Sequence, residues 1–201
     1  TFISDAELDD YINGSYAELY DILVSKFEDY YTTSTTFTIS SGNTESLPAD
    51  FYKLRGVDFQ LDANNWVALK KFTFATRNVL NRSLRGQSSK ERQYRLVGSN
   101  LQIEPTDNAT GSYRIWYTPA YTPLSDDSDT VDGVNGWEDY IVIDASIKML
   151  AKEESSTTHL EREKQAMSAR IEDMARDRDS GQPETITDTD TLYDFYPDRL
   201  F

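Results

Sequence analysis

The sequence predicts an α+β protein in which a helical bundle carries an inserted antiparallel β region and an extended C-terminal arm. Three observations lead to this prediction: an amphipathic helical pattern at about residues 4–31, a strand-rich stretch at about 35–118, and a second helical part at about 137–178. A chain of 201 residues can bury a sizeable core as one domain. We therefore assign residues 1–178 to a single domain and residues 179–201 to the arm.

A capping box predicts the start of the first helix, since Ser4 is followed three residues later by Glu7. Gly14 either interrupts this helix or weakens it by about 1 kcal/mol relative to alanine. Apolar residues recur at steps of three and four, which places them on one stripe of the helix. These residues are Leu8, Ile12, Tyr16, Leu19, Leu23, Phe27 and Tyr30.

The middle of the chain has the β-branched and aromatic bias of strands. Two strands are predicted in "TSTTFTIS" and "FYKLRGVDFQL", with turn-forming residues between them. In "WVALKKFTFATRNVL" we predict a short helix from about Lys70. Three further strands follow in "RQYRLVGSNLQIEPTDNATGSYRIWYTP", joined by a turn at residues 98–100 and another at 107–111.

Two helices are predicted after the loop "TPLSDDSDTVDGVNG". The first has a broad buried stripe made of Tyr140, Ile141, Ile143, Ala145, Ile147 and Leu150. The second is predicted to begin at a capping box of Thr158 and Glu161. Its apolar seam is thin, so it is expected to pack on one side only; the seam consists of Leu160, Met167, Ile171 and Met174.

The formal net charge of −15 excludes a general binder of polyanions, because such affinity comes mainly from lysine and arginine. One segment departs from this acidity, since residues 70–95 hold eight cations and a single acid, Glu91. We predict that it contacts acidic protein surface on a neighbouring subunit or on the same chain; contact with a DNA end is the alternative. The candidate contact residues are Lys70, Lys71, Arg77, Arg82 and Arg85.

The sequence offers little for catalysis or cofactor binding, and we predict no enzyme activity, no cofactor and no metal site. There is no cysteine, and the single histidine, His159, is expected at the surface near a helix start. The stretch "DSDTVDGVNGWE" has acids at three positions of a calcium loop, but aspartate occupies the position that requires glycine. Trp66, Trp116 and Trp137 are expected in the core or at subunit contacts. No signal-peptide pattern or apolar membrane span is present, so no membrane partner is predicted.

The arm combines acidity with aromatic side chains. From about residue 179 the chain loses periodicity, and "TDTDTLYDFYPDRLF" then brings four aromatic residues within ten positions. Because aromatic anchors supply much of the affinity of segments that fold on binding, we predict that this arm docks on another protein chain; a tail folded back on its own chain is the alternative. The docking residues are predicted to be Leu192, Tyr193, Phe195, Tyr196, Arg199 and Phe201.

As a set, "ELDDYINGSYAELYDIL", "SLPADFYKLRGVDF", "YRLVGSNLQIEPTDNATGSYRIWYTPAYTPL" and "GWEDYIVIDASIKMLAKEE" resemble head-to-tail adaptor (connector or head-completion) proteins of tailed double-stranded DNA bacteriophages. The resemblance covers most of residues 4–178. It implies a structural virion protein that forms a ring of about twelve copies beneath the portal, prolongs the DNA channel and gives a stopper, nozzle or tail protein its attachment site. It also implies that the arm docks on the portal protein or on a neighbouring subunit. It also implies a place in the neck of the virion after assembly in the bacterial cytoplasm.

Two other functions remain open on the residues alone. The aromatic β region is compatible with a carbohydrate-binding module of a phage tail or host-surface protein. The second alternative is a small hydrolase that uses two of the many carboxylates as its catalytic pair. It remains open because spacing in sequence does not show which acids are close in space.

Overall fold

The computed structural model describes residues 3–77, 91–126, 128–131 and 136–179. Within these ranges the chain forms three α-helices and two four-stranded β-sheets, with the helices near the two ends of the sequence and all strands between them. The predicted α+β class is therefore confirmed. In the part of the chain that the structure describes, no helix combines the length and the hydropathy needed to cross a bilayer.

Helix α1 spans Asp5–Lys26 and begins at the predicted capping box. The hydroxyl of Ser4 accepts a hydrogen bond from the amide of Glu7 at 3.3 Å, and the Glu7 carboxylate accepts one from the amide of Ser4 at 3.2 Å. The helix passes through Gly14 without interruption. It ends at Phe27, whose backbone is extended, so it is about one turn shorter than the sequence pattern predicted.

The first sheet is antiparallel throughout and has the strand order β1-β8-β3-β4. Its long central strand β8 lies between two strands that precede it in the chain. Alternate residues of β8, including Tyr113, Ile115 and Tyr117, are buried on one face, as the alternation predicted. The strands are β1 Thr33–Ile39, β3 Phe51–Gln60, β4 Trp66–Ala68 and β8 Gly111–Pro119.

The second sheet has the order β2-β7-β6-β5 and includes one parallel pair, β5 with β6. The predicted antiparallel β region thus contains one parallel pair. The turn after Val97 joins β6 to β7 as predicted, with Gly98 at a positive φ of 59°. The strands are β2 Thr44–Ser46, β5 Lys70–Lys71, β6 Gln93–Val97 and β7 Asn100–Glu104.

The helix predicted from about Lys70 does not begin there, although Arg77, the last described residue of that segment, is helical. Lys70–Lys71 is a strand, and a 3-10 turn follows at Phe74–Thr76. The reason is tertiary: Phe72 is buried and its amide donates to the carbonyl of Tyr94 on β6. Residues 78–80 of the predicted helix lie outside the described residues.

The two sheets share one hydrophobic core. Ile39 and Val57 from the first sheet belong to the same buried cluster as Leu101 and Ile103 from the second. A separate buried cluster belongs to the helices and includes Leu19, Leu23, Tyr140 and Ile171. The strands thus form a packed unit of their own beside the helical bundle.

Helix α2 spans Glu138–Lys152 and helix α3 spans Thr158–Arg176, so the predicted helical part from 137 to 178 consists of two helices. The capping prediction for α3 is wrong in its residues, because Thr157 and not Thr158 precedes the first turn; its hydroxyl contacts the Glu161 carboxylate at 2.6 Å. In the α3 seam Ile171 is buried, whereas Met174 is exposed.

The buried stripe of α2 also differs from its prediction. Tyr140, Ile141 and Ala145 are buried as expected, but the fourth buried residue is Asp144. Three predicted members of the stripe, Ile143, Ile147 and Leu150, are only half-buried. The helix is therefore rotated so that a carboxylate faces α1 and α3.

Candidate assembly surfaces

The described part of the basic segment lies at one edge of the second sheet. Lys70 and Lys71 form the strand β5, and the parallel register places them opposite Gln93 and Tyr94 of β6. Arg77 follows the 3-10 turn. The other two candidate contacts, Arg82 and Arg85, lie outside the described residues. The structure therefore brings three of the five predicted basic residues into one region.

An exposed aromatic ring lies among these cations. The guanidinium carbon of Arg77 is 3.9 Å from the centre of the Phe74 ring, and that of Arg95 is 5.5 Å from it. Lys70 is paired with Glu91 at 3.0 Å, in a pair whose two side chains are largely exposed. Such pairs contribute little to stability because water screens them. We call Lys70, Lys71, Phe74, Arg77 and Arg95 the basic-aromatic patch.

Not all cations of the basic segment belong to this surface. Arg92 lies over the ring of Phe59 at 3.7 Å and donates two hydrogen bonds to Asn108, at 2.7 and 2.8 Å. It joins β6 to the loop before β8 and has a structural role. The pattern of charges alone did not separate it from the surface residues.

The predicted arm begins where the described chain ends. The final 3-10 turn, Asp177–Asp179, follows α3 directly, and the guanidinium carbon of Arg178 lies 3.9 Å from the centre of the Tyr30 ring. The described chain thus ends beside Tyr30, in the segment that joins α1 to β1. The predicted docking residues Leu192, Tyr193, Phe195, Tyr196, Arg199 and Phe201 all lie outside the described residues.

A network of four charges around the buried Asp144 links the three helices to one another. The Asp144 carboxylate of α2 is 2.7 Å from the ammonium of Lys148 and 2.5 Å from that of Lys164 on α3. Both lysines also reach Glu18 on α1, at 2.9 and 3.0 Å. The side chains alternate in charge around a closed ring, so each carboxylate contacts two ammonium groups. A different alignment of the helices would separate these opposite charges, so the network favours the alignment observed.

The pKa values of the network follow from this geometry. Burial opposes ionisation of Asp144, but the two ammonium groups outweigh it and hold the pKa of Asp144 below its usual value. Burial likewise opposes the charged form of Lys164, yet the carboxylates of Asp144 and Glu18 raise its pKa above the ordinary value. All four groups are therefore charged near neutral pH.

A group of tyrosines joins the helical bundle to the sheets. The Tyr20 hydroxyl donates to the carbonyl of Pro119, at the end of β8, over 2.5 Å, and its ring stacks on Tyr31 with centres 4.5 Å apart. Burial of this hydroxyl raises the pKa of Tyr20 to about 12. Nearby, Arg55 on β3 contacts both Glu28 and Asp29 after α1. These contacts anchor the end of α1 to the central strands of the first sheet.

An open apolar groove of about 260 Å³ runs between α1 and α2. It is lined by Leu8 and Ile12 from α1 and by Ile141, Val142 and Met149 from α2. Its walls are hydrophobic, and Val142 is exposed. This groove is a candidate contact surface that the sequence analysis did not separate from the core stripe.

Comparison with models of known protein families shows which family this chain belongs to. The model of the family described as SU10 adaptor protein matches residues 1–194, which is almost the whole chain. The chain belongs to the SU10 adaptor protein family. The predicted resemblance to phage head-to-tail adaptors is thereby confirmed. No protein with curated annotation matches the chain.

The acidic loop and the single histidine were considered for metal binding and catalysis in the sequence analysis, and the structure describes residues of both. The carboxylate of Asp129 accepts hydrogen bonds from the amides of Ser125 and Asp126, at 2.7 and 3.0 Å, and so closes a turn in the acidic loop. His159 is exposed at the start of α3, as predicted. Among the described residues no group of three or more acids and histidines is arranged to hold a metal ion.

The tryptophans of the adaptor are covered by other side chains. Trp137 is buried in the helical core. The guanidinium carbon of Arg114 lies 4.5 Å from the centre of the Trp66 ring and 4.7 Å from that of Trp116, and both Arg114 and Trp116 donate to Asp58. A ring covered by a guanidinium does not offer that face to a sugar. This arrangement favours a structural role over carbohydrate binding.

The charged network and the tyrosine junction were both missed by the sequence analysis. One signal was available for the network: Asp144 and Lys148 are the only charged residues between positions 140 and 150, and they lie four residues apart, which is the spacing of an ion pair on one helix face. Its other half comes from α1 and α3. The sequence contains no sign of which residues there would face Asp144.

Proposed function

We propose that this chain is a ring-forming head-to-tail adaptor of a tailed bacteriophage, without enzymatic activity. About twelve copies dock beneath the portal protein, extend the channel for double-stranded DNA and provide the attachment site for a stopper, nozzle or tail protein. The molecule is assembled in the bacterial cytoplasm and remains in the neck of the virion. The family match over residues 1–194 carries this proposal, because it extends past the helical bundle to Asp194 in the arm.

The charge of the chain supports a place beside moving DNA. A net charge of −15 repels phosphates, and a channel component that bound its cargo would slow it. The closed charge network in the bundle supports a rigid subunit that keeps its shape in a ring. The arm, from residue 179 onward, attaches the subunit to the portal or to the neighbouring adaptor.

The decisive experiment is electron microscopy of the pure chain mixed with the portal protein of the same phage. Rings of adaptor stacked on the portal are expected. If the two proteins remain separate at micromolar concentration while each is folded, the proposal is wrong. A carbohydrate-binding module would give that negative result and would instead be retained by glycans of the host surface.

Variants of the arm test its part in attachment. Removal of residues 183–201 should abolish attachment while leaving the unfolding midpoint nearly unchanged, because a tail whose sequence has no local periodicity contributes little to a core. Replacement of Tyr193, Phe195 and Tyr196 by alanine should reproduce most of the loss, at about 1 kcal/mol or more for each true anchor. Replacement of three threonines of the same segment (T185A, T187A and T189A) is the matched control. If the truncated chain attaches normally but melts well below the intact one, the arm packs in the core of its own subunit and has no part in attachment.

A further inference from the structure

The basic-aromatic patch has the chemistry of a docking surface. Phe74 is 58% exposed, and the charged ends of Arg77 and Arg95 lie within 6 Å of its ring centre. The register between β5 and β6 places Lys71 one position from Arg95. Beyond Arg95, Val97 is a further exposed apolar side chain at the end of β6. A surface of this kind fits a ligand that presents carboxylates and apolar rings together.

The arm is the segment of this chain with the complementary composition. Residues 183–201 contain five acids and one cation, and four aromatic residues are interspersed with the last of these acids in "LYDFYPDRLF". Electrostatic complementarity between a patch and its partner favours encounter and fixes register. Double-stranded DNA would satisfy the cations of the patch but would leave Phe74 and Val97 without an apolar partner.

The arm is long enough to reach another copy. The described chain ends at Asp177–Asp179, and Tyr193 is the fourteenth residue after residue 179. Fourteen extended residues span up to about 50 Å, whereas a compact domain of this size is about 40 Å across. The aromatic part of the arm therefore extends beyond its own subunit when the arm is extended.

We propose that the basic-aromatic patch of one subunit binds residues 183–201 of a neighbouring subunit. The proposal rests on the proposed ring and names the partner of the arm within it. Asp188, Asp190 and Asp194 face the cations of the patch, while Tyr193 and Phe195 pack beside Phe74. Each subunit then holds the next, in a head-to-tail contact that closes when the ring is complete.

Engineered cysteines test this contact directly, because the chain has none of its own. One variant carries Val97→Cys, next to the patch and 46% exposed, and a differently tagged variant carries Thr191→Cys in the arm. The two are mixed with the portal protein, rings are verified by microscopy, and the sample is oxidised. The control replaces Val97→Cys with Val142→Cys, which is 63% exposed on α2. A mixed disulfide dimer is expected in at least about tenfold higher yield for V97C than for V142C.

The outcomes separate this inference from the proposed function. Absence of rings contradicts the proposed function. Rings with equal crosslinking at Val97 and Val142 contradict the contact while leaving the adaptor function intact. A single chain that carries both V97C and T191C should give a ladder of linked copies; only an internal disulfide would show that the arm binds its own subunit and would overturn the proposal.

Charge reversal tests the chemistry of the same contact. The substitutions K70E and K71E should lower the V97C crosslink yield by about tenfold, and D188K with D190K in the arm should restore it. High salt should lower the crosslink yield between the original patch and the original arm, since surface charges are screened within about 3 Å at 1 M ionic strength. Unchanged yield in K70E/K71E would refute the charged contact. If, in addition, the protein with Lys70 and Lys71 bound a short DNA duplex and K70E/K71E did not, we would conclude that the patch binds DNA.

Discussion

Replacement of Asp144 by asparagine is the sharpest test of how the helical bundle is held together. The substitution keeps the size of the side chain and removes one negative charge from the network with Lys148, Lys164 and Glu18. Asp144 is only 2% exposed, so its carboxylate has little water to replace the lysines. After the substitution two ammonium groups share the single carboxylate of Glu18.

The magnitude follows from the exposure of the partners. Breaking a buried ion pair by removing one member costs about 3–5 kcal/mol, because a charge is left buried without compensation. Here the two lysine side chains are still more than a quarter exposed, and both retain Glu18, at 2.9 and 3.0 Å. Water and Glu18 therefore offset part of the cost. We expect the free energy of unfolding to fall by about 2 kcal/mol at pH 7.

Urea unfolding monitored by circular dichroism measures this difference. The control is Asp173→Asn on α3, whose carboxylate is 71% exposed and lies 3.7 Å from Arg176; it should change stability by less than about 0.5 kcal/mol. Because the pKa of Asp144 is lowered in the folded state, its contribution is present above the ordinary value of 3.8 and is lost as the pH falls through the folded pKa. The difference between wild type and D144N should therefore shrink below pH 3.8. A loss below 0.5 kcal/mol at pH 7 would refute this account of the network.

Three further substitutions test the junction and the two cores. Tyr20→Phe removes the hydrogen bond to β8 and should cost about 1 kcal/mol in urea unfolding; because the pKa of Tyr20 is raised to about 12, wild-type stability should also fall between pH 10 and 12 more steeply than that of Y20F. Ile171→Ala opens a cavity at a fully buried position of α3 and should cost about 2–5 kcal/mol by the same assay; a loss under 1 kcal/mol would mean that α3 is loosely packed. Gly111→Ala should lower the thermal midpoint, because φ is 141° there and a Cβ atom would lie 2.6 Å from the Phe59 ring; an unchanged midpoint would show that the ring moves aside freely.

Local patterns in the sequence predicted the elements whose causes are local. The capping box at Ser4 and the alternation in β8 both specify structure within a few residues, and both are confirmed. The segment after Lys70 shows the limit of this approach. We predicted a helix there, whereas Lys70–Lys71 is a strand and Phe72 donates its amide hydrogen bond to the carbonyl of Tyr94, 22 residues away.

The candidate surfaces were predictable to different degrees. The run of cations was visible in the sequence, but the folded chain assigns Arg92 to Asn108 and gathers Arg77 and Arg95 at Phe74. The position of Asp144 against α1 and α3 could not be predicted, because it depends on how three helices rotate about their axes. An aspartate within an apolar stripe is the kind of exception that should direct attention to a buried partner.

The separation of the two hydrophobic cores has a consequence for how this protein tolerates sequence change. Energetic effects of substitutions add when the sites share no contacts, and they couple when the sites touch. A change at Val57 in the sheets and one at Leu23 in the helices belong to different clusters, so their effects on stability should sum. Each core can therefore diverge without compensation in the other, whereas the effects of substitutions at Arg55 and Glu28, whose side chains form an ion pair between the sheet and the segment after α1, should couple.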